Sequence, residues 1–465
     1  MKKLLIILVL LGLIVAGGLG GVSWWLLQRL GPEECVYQLE RNTNCRAQVE
    51  DAQIHLFTQP AQLVFKGVQI APKDQEVEKP LAERVPLAAG SAAIVIPEIV
   101  LEVKLEDLLK RRLFVEQLRL VAPVVQESQD ENGRSTLEDL FKKPKRGPKT
   151  ADIEASVPRA LPVNQDQTLL ASPARAVSKD VPTKSPEQGF AFTVNNASIE
   201  DGTLTIQNAA GTVRVENLQF SLTGIDIDPA DLANHNRMEA SLKSDITVTG
   251  MARIGGVKKP AELARLKLEG SGTTTPIDPA TGEWQPYTLL KMTLAKGSTL
   301  AGHLTMGDAA GKEMKKLMEY GIDLSPVVIG GELQEPAVVQ GAYRANIFSL
   351  LGDTHFAFPD YEVVVQRKSH INTARNLHEA ELRLSCGQAL QQRLMAGVSQ
   401  AKLGDSITQG IVKALADERG GLTFDIESEG SLSDPEVRPK LDRLLKNLLR
   451  GEGLGDLLQG LLKKL

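Results

Sequence analysis

Apolar residues recur at every second position through most of this chain, and a helix cannot gather such a pattern on one face. "IVIPEIVLEVKLEDLL" places Ile99, Leu101, Val103 and Leu105 together, and the strand beginning at Leu113 adds Leu118, Leu120 and Ala122. In "LVFKGVQI", Leu63 and Phe65 share one face, and Val68 and Ile70 take over with shifted parity after Gly67, which reads as a bulge. Pro97 and Pro123 do not suit a central strand, so edges or breaks are expected there. "FAFTVNNASIEDGTLTIQN" alternates through Phe190, Phe192 and Val194, passes Ile199 to a hairpin signal at Asp201-Gly202, and resumes with Leu204 and Ile206. Val213 and Val215 lie on one parity of the next segment, and Leu218, Phe220 and Leu222 on the other. Further short alternating segments follow in "ASLKSDITVTG", "LARLKLEGSG", "TLLKMTLAKGSTLAGHL" and "YEVVVQRKSHI". Strands divided by Gly and Asx turns predict a mainly β fold: a meandering antiparallel sheet, curved into a groove or taco-like structure.

Helical spacing is confined to a few places. "DENGRSTLEDLF" reverses the chain at Asn132-Gly133 and offers Ser135 and Glu138 as a capping box for a short helix able to cover a strand edge. "GDAAGKEMKKLMEYG" reads as a short helix, and Ser385 to Gly421 as one or two more. After Asp434-Pro435 the chain reads as a turn and then an amphipathic helix, with Pro435 in the first helical turn. Leu441, Leu444, Leu445, Leu448 and Leu449 fall at helical spacing, and a second leucine set runs from Leu454 to Leu462. Residues 142–188 hold seven prolines and no aromatic residue, so they cannot bury enough apolar area to offset ordering and read as a disordered linker. The expected organisation is an anchor over 1–30, a β-rich region over 31–141, the linker over 142–188, a second β-rich region with helical insertions over 189–432, and amphipathic helices over 433–465.

The anchor rests on "MKKLLIILVLLGLIVAGGLGGVSWWLLQRL", which carries no charge from Leu4 to Leu27. At about 1.5 Å per residue this run spans roughly 36 Å, enough for a hydrocarbon core of about 30 Å. Lys2 and Lys3 before it, with Glu33 and Glu34 after it, orient the N-terminus inside and the rest of the chain outside. A cleavable signal ending near Ala16-Gly17-Gly18 is the alternative, and either reading exports the body. In an oxidising compartment Cys35 and Cys45, which flank "VYQLERNTN", are candidates for a short-loop disulfide or two separate thiols. Cys386 is left over.

Composition argues against a nucleic-acid partner: net charge is −5 and aromatics make up 4%, without a basic stripe for stacked bases. Catalytic signatures are missing too. No G-x-S-x-G, H-E-x-x-H or C-x-x-C occurs, and "GDAAGK" has the wrong spacing for a phosphate loop. Asp353 with His355, or His370 with His378, are the pairings one would test as metal ligands, but scattered surface or turn histidines explain them; no metal and no cofactor is expected.

The anchor followed by "FKGVQIAPKD", "LEVKLEDLLKRRLFVEQLRLVAPVV" and "DENGRSTLEDLF" resembles the N-terminal region of the bacterial AsmA-like family. "FTVNNASIEDGTLTIQNAAGTVRVENLQFSLTGI" is similar to that family's later β-repeat, and "IESEGSLSDPEVRPKLDRLLKNLL" to its C-terminal signature. The family is similar in turn to chorein-type bridge proteins. The resemblance implies a non-enzymatic protein of the inner membrane, with its body in the periplasm and a role in outer-membrane biogenesis. It implies phospholipid, or another acyl-chain lipid, as partner, held in a hydrophobic groove whose candidates are Phe190, Phe192, Val194, Leu204, Ile206, Phe220 and Leu222. From alternation alone the same side chains would fill a sandwich core. The competing functional reading is a scaffold that docks envelope proteins through its terminal helices. The chain departs from the family by its shortness, its linker and the helices after Ser385; the shortness counts against a complete bridge between two membranes.

Overall fold

Strands joined by short turns satisfy their backbone N–H and C=O groups by pairing each with the next, and most of the described part of this chain does so. The computed structural model describes residues 32–55, 58–110, 112–129, 135–142, 191–209, 211–254, 257–305, 323, 327–400, 416, 421–431 and 434–440. The apolar run of residues 4–27, the linker, Phe190, the helix expected in "GDAAGKEMKKLMEYG" and the leucine-rich residues 441–465 lie outside the described residues. Among those described, no helix is long and apolar enough to cross a membrane.

Among the described residues, twenty-one strands form one sheet. It begins with β1 (Cys45–Gln48) and β2 (Asp51–His55), which share the edge of β3 (Ala61–Pro72). Antiparallel pairing continues to β4 (Ile94–Lys104) and β5 (Arg112–Val121). β6 (Val124–Ser128) prolongs β5 in the same direction, and both pair parallel with β7 (Ala191–Asn208), joining the two β-rich regions. From there the meander runs through β8 (Gly211–Ile227), β9 (Asn236–Ile254), β10 (Val257–Ile277) and β11 (Trp284–Leu294). β12 (Thr299–Thr305) pairs with β10 and with β13 (Val328–Glu332), while β14 (Ala337–Arg344) pairs with β11 and β15 (Ile347–Leu350). β16 (Thr354–Ala357), β17 (Tyr361–Val365) and β18 (His370–Asn372) lead to β19 (Leu377–Cys386), and β20 (Thr423–Ser431) and β21 (Asp434–Pro439) complete the sheet.

A line of backbone irregularities crosses β3 to β8. Gly67 has φ +60° and falls opposite Pro97, between the pairs Lys66–Glu98 and Val68–Ile96. Next in line is Ala122 (φ 45°), at the break between β5 and β6, whose N–H donates to the Glu200 carbonyl at 2.7 Å. Asp201 (φ 53°) and Asn217 (φ 51°) then interrupt β7 and β8. The register shifts at Ile199–Leu204 and Glu216–Gln219 are bulges. The parity changes at Gly67 and between Val215 and Leu218 therefore belong to one fault line, along which the sheet gains twist and curvature. The hairpin expected at Asp201-Gly202 is a correction: β7 runs straight through it. A single left-handed Asx residue serves a bulge as well as a turn.

Apolar side chains meet on both sides of that line. Val68, Ile70, Ile94, Ile96, Val125, Leu204 and Val215 form one cluster. Val103, Leu113, Val115, Leu118, Val194 and Ile225 form another. Helix α1 (Pro32–Asn42) leads into β1, and α2 (Thr136–Phe141) buries Leu137 and Leu140 in the first cluster. That helix thus plugs the core rather than covering a strand edge. Its expected cap is present: Ser135 Oγ accepts from the Glu138 N–H at 3.1 Å. Ser135→Ala is expected to cost about 1 kcal/mol, read as a shift of the urea midpoint at unchanged slope.

Two further expectations are corrected. Asp434 to Pro439 is not a turn and a helix start but strand β21. With Pro435 in the first helical turn, Pro439 would still fall in the helix interior and remove a backbone donor, whereas an edge strand tolerates both. Lys440 donates its N–H to the Asp425 carbonyl at 2.8 Å, so the backbone nitrogens of 435, 437 and 439 point outward. Two of these three are prolines, which blunts that edge against added strands. The Cys35–Cys45 bridge is not formed: both thiols are free. The Cys45 sulfur is shut into the core cluster, 2.9 Å from the Thr43 hydroxyl, while Cys35 sits on α1.

Candidate functional site

Pairing register decides which side chains share a face. One rung runs Leu222–Ala240–Gly272–Leu290–Gly341 across β8, β9, β10, β11 and β14. The next runs Phe220–Leu242–Gly270–Met292–Val339, and beyond it Ser244, Leu268, Leu294 and Ala337 stand in line. These rungs continue the face that carries Leu118, Leu120, Ala197 and Ile199 on β5 and β7. Small residues alternate with Leu, Met and Phe, which lowers the floor between the large side chains. Gly272 shows the tightness of that floor: a Cβ there would lie 2.8 Å from Leu290 Cδ2 and from the Leu289 carbonyl oxygen.

Burial changes steadily along this face. On β5 and β7 it is closed: Val115 is 0% exposed, Leu113 2% and Val194 4%. On β8 Val215, Leu218 and Ile225 are buried, while Val213, Phe220 and Leu222 are half-buried. On β9, β10 and β11 the large apolar side chains Met238, Leu242, Ile246, Leu266, Leu268, Leu290, Met292 and Leu294 are all half-buried. Among the described elements, the substantial contacts of these three strands are with strands of the same sheet. The face is therefore a filled core at its beginning and a partly open apolar trough from β8 to β14.

The opposite face is polar. Ser198, Ser221, Ser241, Ser271, Lys291 and Gln340 form one rung across six strands, with the Ser221 and Ser241 hydroxyls 2.7 Å apart. Lys243 and Glu269, in the neighbouring rung, pair at 2.9 Å. This side holds a shallow open concavity of about 500 Å³ between its serines, Thr273, Glu239 and Leu289. The sheet is thus amphipathic over more than five strands.

Of the groove residues expected from the sequence, Val194 and Leu204 are enclosed by the protein's own side chains. Phe192, Ile206, Phe220 and Leu222 are half-buried and pack at the margins of the clusters. The open part of the trough is lined instead by Leu242, Leu266, Leu268, Leu290 and Met292. Their alternation is plain in the sequence, but register across three strands is what places them together.

The remaining reactive side chains are separately engaged. Burial pushes the Cys45 thiol up to about 11 and the Cys386 thiol up to about 12, so both stay protonated near neutrality. His355 Nδ1 lies 2.5 Å from Glu362, whereas Asp353 accepts from the Arg367 N–H. His378 bridges the Gly430 carbonyl and the Ser428 hydroxyl, and His370 approaches Glu379 at 3.9 Å. Among the described residues no three acidic, His or Cys side chains gather as a metal site.

Compared with protein-family models, curated proteins and solved structures, the chain matches none.

Proposed function

We propose that this chain is a tethered envelope protein that holds the acyl chains of phospholipid along the trough from β8 to β14. In this reading the apolar run of residues 4–27 anchors it in a bacterial inner membrane, and the β-sheet body stands in the periplasm and serves outer-membrane biogenesis. The observation that carries the proposal is the fading burial of one continuous apolar face, closed at Val115 and half-open at Leu290. A row of leucines in contact with water has no reason to persist over three strands unless something apolar covers it. Each acyl CH₂ that takes water's place there contributes about 0.8 kcal/mol, so a few contacts suffice for retention. The family resemblance of the sequence points the same way. No nucleotide or metal chemistry is required for holding a lipid, and the hydroxyl-rich outer face keeps the loaded sheet soluble.

The test is lipid analysis of the purified full chain. Wild type is expected to carry phospholipid, and Leu242→Glu with Leu290→Glu to carry about tenfold less, the loss of roughly two CH₂ contacts. Unchanged lipid content in a variant with the wild-type circular dichroism spectrum would remove the proposal.

A further inference from the structure

The polar face of the sheet is not level. Ser221, Ser241, Ser271, Lys291 and Gln340 stand in one rung across β8, β9, β10, β11 and β14. The Leu351 N–H donates to the Gln340 carbonyl at 2.9 Å, so Leu351 ends the row. The rungs on either side carry longer groups: Lys243 and Glu269 on one, Glu239, Thr273 and Leu289 on the other. Three short serines between taller neighbours sink the surface into a furrow, the concavity of about 500 Å³ on this face. Solubility alone does not call for serine on three successive strands, because Thr is wetted as well and packs better on a pleated surface. The three lie far apart in the chain, and only pairing brings them into line.

Charge in and around the furrow is largely cancelled. Lys243 pairs with Glu269 at 2.9 Å and Glu239 with Arg237 at 2.6 Å, while exposed Lys291 makes no ion pair among the described residues. The Ser221 and Ser241 hydroxyls lie 2.7 Å apart, so one O–H is spent between them and the other remains for a ligand. One wall is apolar and open: Leu289 is 42% exposed, Leu351 55%, and Tyr287, two places from Leu289 on the same face, 40%. Donors and acceptors in a row beside exposed apolar side chains suit a molecule with hydroxyls around its rim and C–H groups on its faces. A sugar ring is such a molecule. Neighbouring strands are about 4.8 Å apart, so the row from β8 to β14 spans about 19 Å. A straight β-linked sugar chain advances by close to one strand spacing per ring and can present one ring to each strand. An acyl chain has no group for the serines to bind, and a nucleic acid needs a line of cations where this furrow offers Lys291.

We infer that this furrow binds an extended, β-linked polysaccharide laid across the strands, with Ser221, Ser241, Ser271 and Gln340 on its hydroxyls and Leu289 and Leu351 against its ring faces. The site lies on the opposite side of the sheet from the lipid trough and does not depend on it. It is tested by calorimetric titration of the purified full chain with chitobiose, chitohexaose and maltohexaose. Chitohexaose is expected to bind, chitobiose about tenfold more weakly, and maltohexaose, whose α-linked chain curls, without measurable heat. S221A/S241A/S271A is expected to bind chitohexaose about tenfold more weakly, the loss of about one net hydrogen bond, with the wild-type circular dichroism spectrum and lipid content. Ser241→Lys, at an exposed position of the same floor, fills the furrow and is expected to abolish binding. No heat with chitohexaose, equal binding of the two hexasaccharides, or either variant binding like wild type would overturn the inference. So would chitobiose binding as tightly as chitohexaose, which would assign the furrow to a short sugar headgroup. Lipid co-purification reads the trough separately, so each reading can fail alone.

Discussion

Arg84→Ala is expected to destabilise the protein by about 3–5 kcal/mol, the largest loss from any single polar side chain described above. Glu40 on α1 and Arg84 in the β3–β4 connection have side chains only 3% and 9% exposed. Arg84 Nη1 lies 2.9 Å from both Glu40 carboxylate oxygens, Nη2 donates to the Val77 carbonyl at 2.8 Å and Nε to the Lys79 carbonyl at 2.9 Å. Glu40 receives one other donor, the Ala47 N–H at 3.0 Å. Truncating Arg84 strands a buried carboxylate with a single backbone partner and frees the loop that clamps α1 onto β1. The same principle makes the double variant informative. Replacing Glu40 and Arg84 together by Met removes both desolvated charges, so stability is expected within about 1 kcal/mol of wild type or above it. Urea midpoints of the two variants measure the difference. A cost below about 1 kcal/mol for Arg84→Ala would mean that water reaches the pair.

Leu113→Ala and Leu290→Ala should differ severalfold although the substitution is the same. Leu113 is enclosed by Val103, Val115, Leu118, Val194 and Ile225, and truncation leaves a cavity at a cost of about 2–5 kcal/mol. Leu290 faces the trough half-buried, with Gly272 and Gly341 as its rung neighbours. In lipid-free protein its truncation creates no enclosed cavity and costs at most about 1 kcal/mol from the area it covers. Equal penalties at the two positions would mean that the apolar face is filled by protein along its whole length.

The strands themselves are legible in the sequence because period-two alternation survives any register. The parity changes at Gly67 and between Val215 and Leu218 also announce the bulges, since a side chain can change face only where the ladder is interrupted. Other features are not legible from local chemistry. Asp201-Gly202 supplies a left-handed residue, and nothing in the dipeptide distinguishes a reversal from a bulge inside an 18-residue strand. Pro435 reads equally as a helix start and as an edge-strand residue, and only Pro439, four positions later, tips the balance. The trough shows the same limit. Phe220 and Leu222 stand out as aromatic and aliphatic neighbours, but the openness at Leu242, Leu290 and Met292 depends on which distant strands cover them. That is a tertiary property, and alternation is identical for a filled and an unfilled face.

Photo-crosslinking at chosen rungs is the most direct measurement of the trough. A benzophenone side chain is placed at Leu242, Leu290 or Met292 on the apolar face, or at Ser271 or Lys291 on the polar face, in the full chain reconstituted with phospholipid. Adducts to acyl chains are expected at the first three positions and not at the last two. Crosslinks from Leu242, Leu290 and Met292 to the protein's own peptides, or equal lipid adducts on both faces, would contradict lipid occupancy of the trough.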